Sequence, residues 1–156
     1  STVAINALLG LRRKAQLRTI PRVTFTDPEI GSVGISVLEA AKDSAMKIRT
    51  VHHAHLDRAI AEGSTLGFTK LVVDGKGRIK GGVIVSPRAG ESLGELCILV
   101  DSGRTTSSVA GVMHAYPTFN DGLWNAAIED AQSRLGKGFM GSAIRTIARA
   151  RRILSR

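Results

Sequence analysis

Apolar and polar residues alternate in short runs through the first half of the chain, then recur every three to four positions in the second half. After Pro21, Val23 and Phe25 alternate with polar neighbours, which predicts an extended segment over 22–26. Asp27-Pro28 marks a turn, and Ile30 to Ile35 reads as a second extended piece interrupted by glycines. Ser36 followed by Glu39 has the spacing of a capping box and predicts a helix that fades by Ser44. A strand is predicted over 47–55, with Ile48, Thr50, His52 and Ala54 on one face. Asp57 to Glu62 predicts a helical turn stopped by Gly63. Phe68–Val73 and Arg78–Val85 read as strands joined by Asp74-Gly75-Lys76-Gly77, because glycine supplies the positive φ a tight hairpin needs.

From Ala89 the period changes. Leu93, Leu96, Cys97 and Val100 share one face of a helix that Gly103 closes. Thr106 is expected to cap a short helix reaching about Met113, with a loop from His114 to Pro117. Thr118 opens a further helix carrying Leu123, Ala126, Ala127 and Asp130. The first residues, 1–18, predict a short amphipathic helix with Val3, Ala4, Ala7, Leu8 and Leu11 on one face, then a basic connector. So short a helix needs something to pack on. The pattern specifies an α+β fold, an antiparallel sheet of three to five strands with helices packed on one side.

Length and composition narrow the class. The 156 residues suffice for one domain with a real core, and 43% hydrophobic with 22% charged residues describes a globular chain. The single cysteine, Cys97, excludes an intramolecular disulfide framework, a cysteine-only zinc site and a two-cysteine redox pair. It predicts a reducing, cytoplasmic setting. There is neither a signal-peptide pattern nor an apolar run long enough to span a membrane. The net charge of +9 suggests a polyanion binder, but +6 of it lies between Gly136 and Arg156, in one lysine and five arginines. The remaining body is ordinary for a soluble domain.

Four landmarks occur in order between Ile20 and Leu135. They are Phe25-Thr26-Asp27-Pro28-Glu29-Ile30-Gly31-Ser32-Val33-Gly34, then Gly67-Phe68-Thr69-Lys70 with its Gly-rich hairpin, then Ser86-Pro87-Arg88-Ala89-Gly90-Glu91, and finally His114-Ala115-Tyr116-Pro117-Thr118-Phe119-Asn120-Asp121. In this order they resemble the interface domain of the pyridine nucleotide–disulfide oxidoreductases, the dihydrolipoamide dehydrogenase and mercuric reductase-like flavoproteins. The resemblance implies a two-fold homodimer and a parent enzyme that uses FAD and NAD(P). Those cofactors would be held in other domains of the parent, since this sequence has neither a G-x-G-x-x-G at a strand–helix junction nor a Cys-x4-Cys pair. Residues 1–18 then look like the last helix and connector of a preceding FAD domain, 19–135 like the dimerisation domain, and 136–156 like a basic amphipathic helix. The chain is expected to be a separate piece of a larger enzyme, inactive alone.

The resemblance also implies roles. The fourth landmark is the loop that reaches the partner subunit's flavin and redox cysteines. In the family a His directly before the Pro acts as acid–base, and a Glu five residues later orients it. The matching positions here are Tyr116 and Asp121. A phenol titrates near about 10, so Tyr116 is a poor base at neutral pH but a usable hydrogen-bond donor. His114, two residues earlier, is a candidate substitute base. Asp121 also has capping-box spacing from Thr118. Glu91, Leu93 and Glu95 match the dimer-contacting helix, and Pro117 and Thr118 the dimer-contacting loop. That helix is apolar nearly all round through Leu93, Leu96, Ile98, Leu99 and Val100, as expected of one buried on more than one side. Mercuric reductases carry a C-terminal cysteine pair that this chain lacks, which argues against mercuric ion as substrate.

Other readings are weaker. His52, His53 and His55 invite a metal, but on a strand His53 and His55 share a face while His52 points away, so solvated strand histidines are expected and no metal site. Cys97 fits a buried structural thiol. The basic terminal helix, with Ala143, Ile144, Ile147, Ala148 and Leu154 in one stripe, is compatible with a membrane surface. A nucleic-acid module is the alternative class, but Tyr116 and Trp124 are not interleaved with the basic residues.

Overall fold

The computed structural model describes residues 2–14 and 17–135; the predicted helix over 136–156 lies outside them. A first helix, α1 (Thr2–Leu9), buries none of its side chains. Among the described residues, five strands form one antiparallel sheet: β1 (Arg22–Thr24), β2 (Glu29–Gly34), β3 (Lys47–His52), β4 (Phe68–Val73) and β5 (Ile79–Ser86). Their order across the sheet is β1-β2-β5-β4-β3. The short helices α2 (Val37–Ala40) and α3 (Asp57–Ala61) sit between strands. Then come α4 (Ala89–Asp101), α5 (Thr106–Ala110) and α6 (Asp121–Leu135).

The strand register explains the core. Gly31 pairs with Ile84, Ile84 with Thr69, and Thr69 with Val51, while Val33 pairs with Gly82, Gly82 with Leu71, and Leu71 with Arg49. These residues therefore share one face, since side chains alternate along a strand. On that face Val33, Val51, Leu71 and Ile84 are buried with Leu93 and Leu96 of α4 and with Leu123, Ala126 and Ala127 of α6. Burying a Leu or Val side chain stabilises by about 1.5–3 kcal/mol, so this layer is a large stabilising contribution.

Local signals behave as their chemistry requires. Ser36 and Glu39 form the reciprocal capping box. In the hairpin Asp74 accepts from the backbone N–H groups of Lys76 and Arg78 at 2.8 and 3.0 Å, and Gly77 takes φ +80°. Gly103 ends α4 at φ +61°. Two expectations need correction. The strand predicted over 47–55 ends at His52, and a 3-10 turn (His53–His55) follows. That turn swings His53 into the core, fully buried, while His52 and His55 stay exposed; the three are not a solvated strand cluster. The cap of α5 is Thr105, whose side chain accepts from the Ser108 N–H, and not Thr106. Thr106 is drawn inward, where its hydroxyl donates to Asp130 at 2.7 Å.

Candidate functional site

The loop from α5 to α6 carries the predicted chemistry, and the elements around it determine what each side chain can do. α4 is seated by Leu93 and Leu96, both buried. Leu93 packs within the core beside Gly31, so it cannot serve the contact surface expected of it. The side of α4 left open is marked by Ile98, 68% exposed, with Glu91 exposed at the first turn. Glu95, half-buried, is a junction. It accepts from the Asn120 amide and, at 3.0 Å, faces His114 Nε2. Cys97 is half-buried against the core, and burial raises its thiol pKa, which suits an inert packing thiol.

His114 is clamped. Its Nδ1 lies 2.9 Å from the Val112 carbonyl and its Nε2 on Glu95, while the ring stacks on Trp124 at 5.4 Å between centroids. Two acceptors are satisfied together only by a ring carrying two N–H groups, the imidazolium. Burial pulls its pKa down, but the Glu95 hydrogen bond, the Val112 carbonyl and the charges of Glu95 and Asp121 outweigh this and raise it above the ordinary value. While the clamp holds, His114 has no free nitrogen with which to act as a base.

Tyr116 goes elsewhere. It precedes a cis Pro117, is 66% exposed, and its hydroxyl donates to Asp57 at the start of α3. The hydrogen bond to that carboxylate, with burial and the charges of Asp57 and Asp121, raises the phenol pKa above the ordinary value. Asp121 is buried at the first turn of α6. Its Oδ2 accepts the Thr118 N–H at 3.0 Å and its Oδ1 the Thr118 hydroxyl at 3.1 Å, so the capping interaction expected from the spacing is made through the carboxylate. Pro117 is exposed and Thr118 half-buried.

The predicted residues therefore divide. Tyr116 and Asp121 line one hollow of about 150 Å³, together with His55, Leu56, Asp57, Trp124 and Asn125. His114 contacts it only through the ring of Trp124. Asp57, His55 and Asn125 were invisible to sequence reasoning: Asp57 and Tyr116 lie 59 positions apart, and no spacing rule joins them. Beneath the loop, His53 is fully buried, with Nε2 2.9 Å from the Thr69 hydroxyl and Nδ1 unpartnered. Burial, aided by the neighbouring charge of His52, lowers its pKa to about 4, so it is neutral at pH 7. Gly122 packs over this pair so closely that a Cβ there would stand 2.5 Å from Thr69 Oγ1 and 2.9 Å from His53 Nε2. Among the described residues there is no group of three or more His, Cys, Asp or Glu able to hold a metal ion.

A sheet of this order, with two long helices on one face and an exposed His-x-Tyr-Pro-Thr loop beside one of them, defines a class of interface domain. The sequence profile of the pyridine nucleotide-disulphide oxidoreductase dimerisation domain matches residues 20–127, and the chain belongs to that family. Dihydrolipoyl dehydrogenase of Vibrio parahaemolyticus is 33% identical over 127 residues, which is 80% of this chain and 27% of that protein. Mercuric reductase of Acidithiobacillus ferrooxidans is 36% identical over 126 residues, 80% of this chain and 23% of its own length. Among solved structures, LpdA from Mycobacterium tuberculosis superposes with a TM-score of 0.74 at 27% identity, over 81% of this chain and 28% of that one. RclA from Escherichia coli, a flavoprotein disulfide reductase, shares the fold with a TM-score of 0.71 at 22% identity, over 80% of this chain and 29% of its own. The chain spans about a quarter of the length of these curated relatives. Nothing in these matches supports a nucleic-acid-binding role. No described helix is long and apolar enough to cross a membrane.

Proposed function

We propose that this chain is the interface module of a larger flavin- and nicotinamide-dependent reductase, that it forms a two-fold homodimer, and that it offers its His114–Asp121 loop to the partner subunit. The observation that carries this is the surface around the Glu95–His114 bond. That bond ties the loop to α4, and the neighbouring residues Ile98, Val112 and Met113 are all open apolar side chains, Met113 to 96%. Exposed apolar side chains on the helix and on the loop bonded to it support an association site there. Membership of the dimerisation-domain family supports reading this helix and loop as the contact surface.

FAD and NAD(P) belong, on this reading, to the parent's other domains. Two helix ends among the described residues are closed to a dinucleotide phosphate. At the start of α4 the Gly90 N–H is already taken by the Glu29 carboxylate at 2.9 Å, and at α2 the capping box fills the helix end where a phosphate would dock. Residues 1–18 are read as the end of the preceding domain, in keeping with the open side chains of Val3 and Leu8 on α1. The free Cys97 suits a cytoplasmic setting.

Light scattering across a dilution series tests the dimer. A mass near twice 16.5 kDa is expected, falling to the single-chain mass in Ile98→Glu. A wild-type chain that stays monomeric at high concentration, or an Ile98→Glu variant that stays dimeric, overturns the reading.

A further inference from the structure

We infer that Asp57, and not Asp121, is the positioning residue that orients the Tyr116 hydroxyl, so that the two form a phenol–carboxylate pair at the edge of the hollow beside α6. The inference rests on the reading of this loop as the functional one, and it answers a question that reading leaves open. The family pattern places a carboxylate five residues after the aromatic position, here Asp121, one methylene shorter than the usual Glu.

Three observations carry it. First, Asp121 is bonded to Thr118 and not to Tyr116. Both carboxylate oxygens are engaged by Thr118, one by its N–H and one by its hydroxyl, and the side chain is buried in the first turn of α6. Second, the Tyr116 hydroxyl has one proton to donate, and it is donated to Asp57 Oδ2. Third, Asp57 stands on an anchored element. Leu56 and Ala59 on either side of it are buried, so α3 fixes its backbone although the carboxylate itself is exposed. The groups lining the same hollow are His55 from the 3-10 turn, Asp57 from α3, and Asp121, Trp124 and Asn125 from α6. Of these, only Asp57 meets the phenol as a hydrogen-bond acceptor.

The pairing determines what Tyr116 can do. With its proton held by a carboxylate the phenol stays neutral at pH 7, and its oxygen keeps acceptor capacity only. It therefore suits a partner or ligand that brings a donor, such as a thiol, a hydroxyl or an ammonium group. For Tyr116 to donate to a ligand instead, the Asp57 bond must first break. Asp57 is thus a positioning residue that sets the direction of the hydrogen bond Tyr116 offers.

The chain has one tyrosine, so phenolate absorbance reports Tyr116 alone. The test is a pH titration of that absorbance in the whole chain, repeated with 3-fluorotyrosine at the same position so that ionisation falls below the onset of alkaline unfolding. The wild-type midpoint should lie above that of free tyrosine, or of free 3-fluorotyrosine. Asp57→Asn should lower it towards the free amino-acid value, since the hydrogen-bonded carboxylate is lost. Asp121→Asn should lower it by clearly less. A wild-type midpoint at the free amino-acid value overturns the proposal. So does an Asp57→Asn midpoint equal to wild type, or an Asp121→Asn shift as large as that of Asp57→Asn. The titration reads a bond within one chain and light scattering reads two chains, so failure of the pair and failure of the dimer are told apart.

Discussion

Helix α6 holds two buried aspartates, Asp121 at its start and Asp130 further along, and their surroundings differ. Asp130 is fully buried and surrounded by donors: Arg49 Nε at 3.0 Å from β3, the Thr106 hydroxyl at 2.7 Å from α5, and Arg134 Nε at 2.5 Å from its own helix. Arg134 goes on to the Asp74 and Gly75 carbonyls of the hairpin. Burial alone would raise the pKa of Asp130, but the hydrogen bonds from Arg134, Thr106 and Arg49 and the charge of Arg134 lower it. Asp121, nine residues earlier, is met only by Thr118 among the hydrogen bonds of the described residues, and it borders an open hollow beside an exposed phenol. One ties a strand, two helices and a turn together. The other leaves polar groups facing outward. The difference teaches that burial of a carboxylate does not by itself mark a site; the partners decide.

Several substitutions would break or sharpen the contrast. Asp130→Ala should cost about 3–5 kcal/mol in urea unfolding, because it strands two arginines that were paired with a buried charge. The acid side should show the next largest effect. His53 stays neutral in the fold down to about pH 4 while the unfolded chain takes up its proton near about 6.5, so stability is complete above that pH and falls by about 3 kcal/mol as pH drops through the window. Asp130, lowered in the fold, adds a loss that begins near the ordinary carboxylate pKa, about 4, and grows as pH falls further. His53→Leu should lack the first slope and keep the second. His114, raised in the fold, works the other way and adds stability as pH falls, so the test compares variants: a His53→Leu curve parallel to wild type from pH 7 to 5 would contradict the buried neutral histidine. Asp121→Ala should cost only about 1 kcal/mol, the worth of a helix cap. Should it match Asp130→Ala, the two aspartates are not different in kind. Tyr116→Phe, at an exposed position, should change stability by less than about 0.5 kcal/mol.

These contrasts also show what could be read from the sequence. The capping box at Ser36 and Glu39, the hairpin at Asp74 to Gly77 and the helix after Ala89 depend on residues a few positions apart, and all three formed as expected. Likewise Tyr116 and Asp121 fell at the loop and helix start that their motif implied. The departures share one cause, which is a distant partner. His53 leaves its strand in a 3-10 turn and is buried under Gly122 against Thr69, and Thr106 loses the capping role to Thr105 because Asp130 takes its hydroxyl. Leu93 turned inward onto Gly31, so the open side of α4 is the one bearing Ile98. The Asp57–Tyr116 bond and the Glu95 junction join segments that no periodicity relates.

In the proposed dimer a second copy of this chain sits against the loop at Met113. The most direct measurement is a dipolar spin–spin distance in a Cys97→Ser background with a single spin label at Met113→Cys. A single narrow distance is expected at concentrations where the chain is dimeric, lost in Ile98→Glu. A dimer by mass that shows no coupling from this position, while a label at the exposed Ser44 does, would place the interface elsewhere and contradict the account.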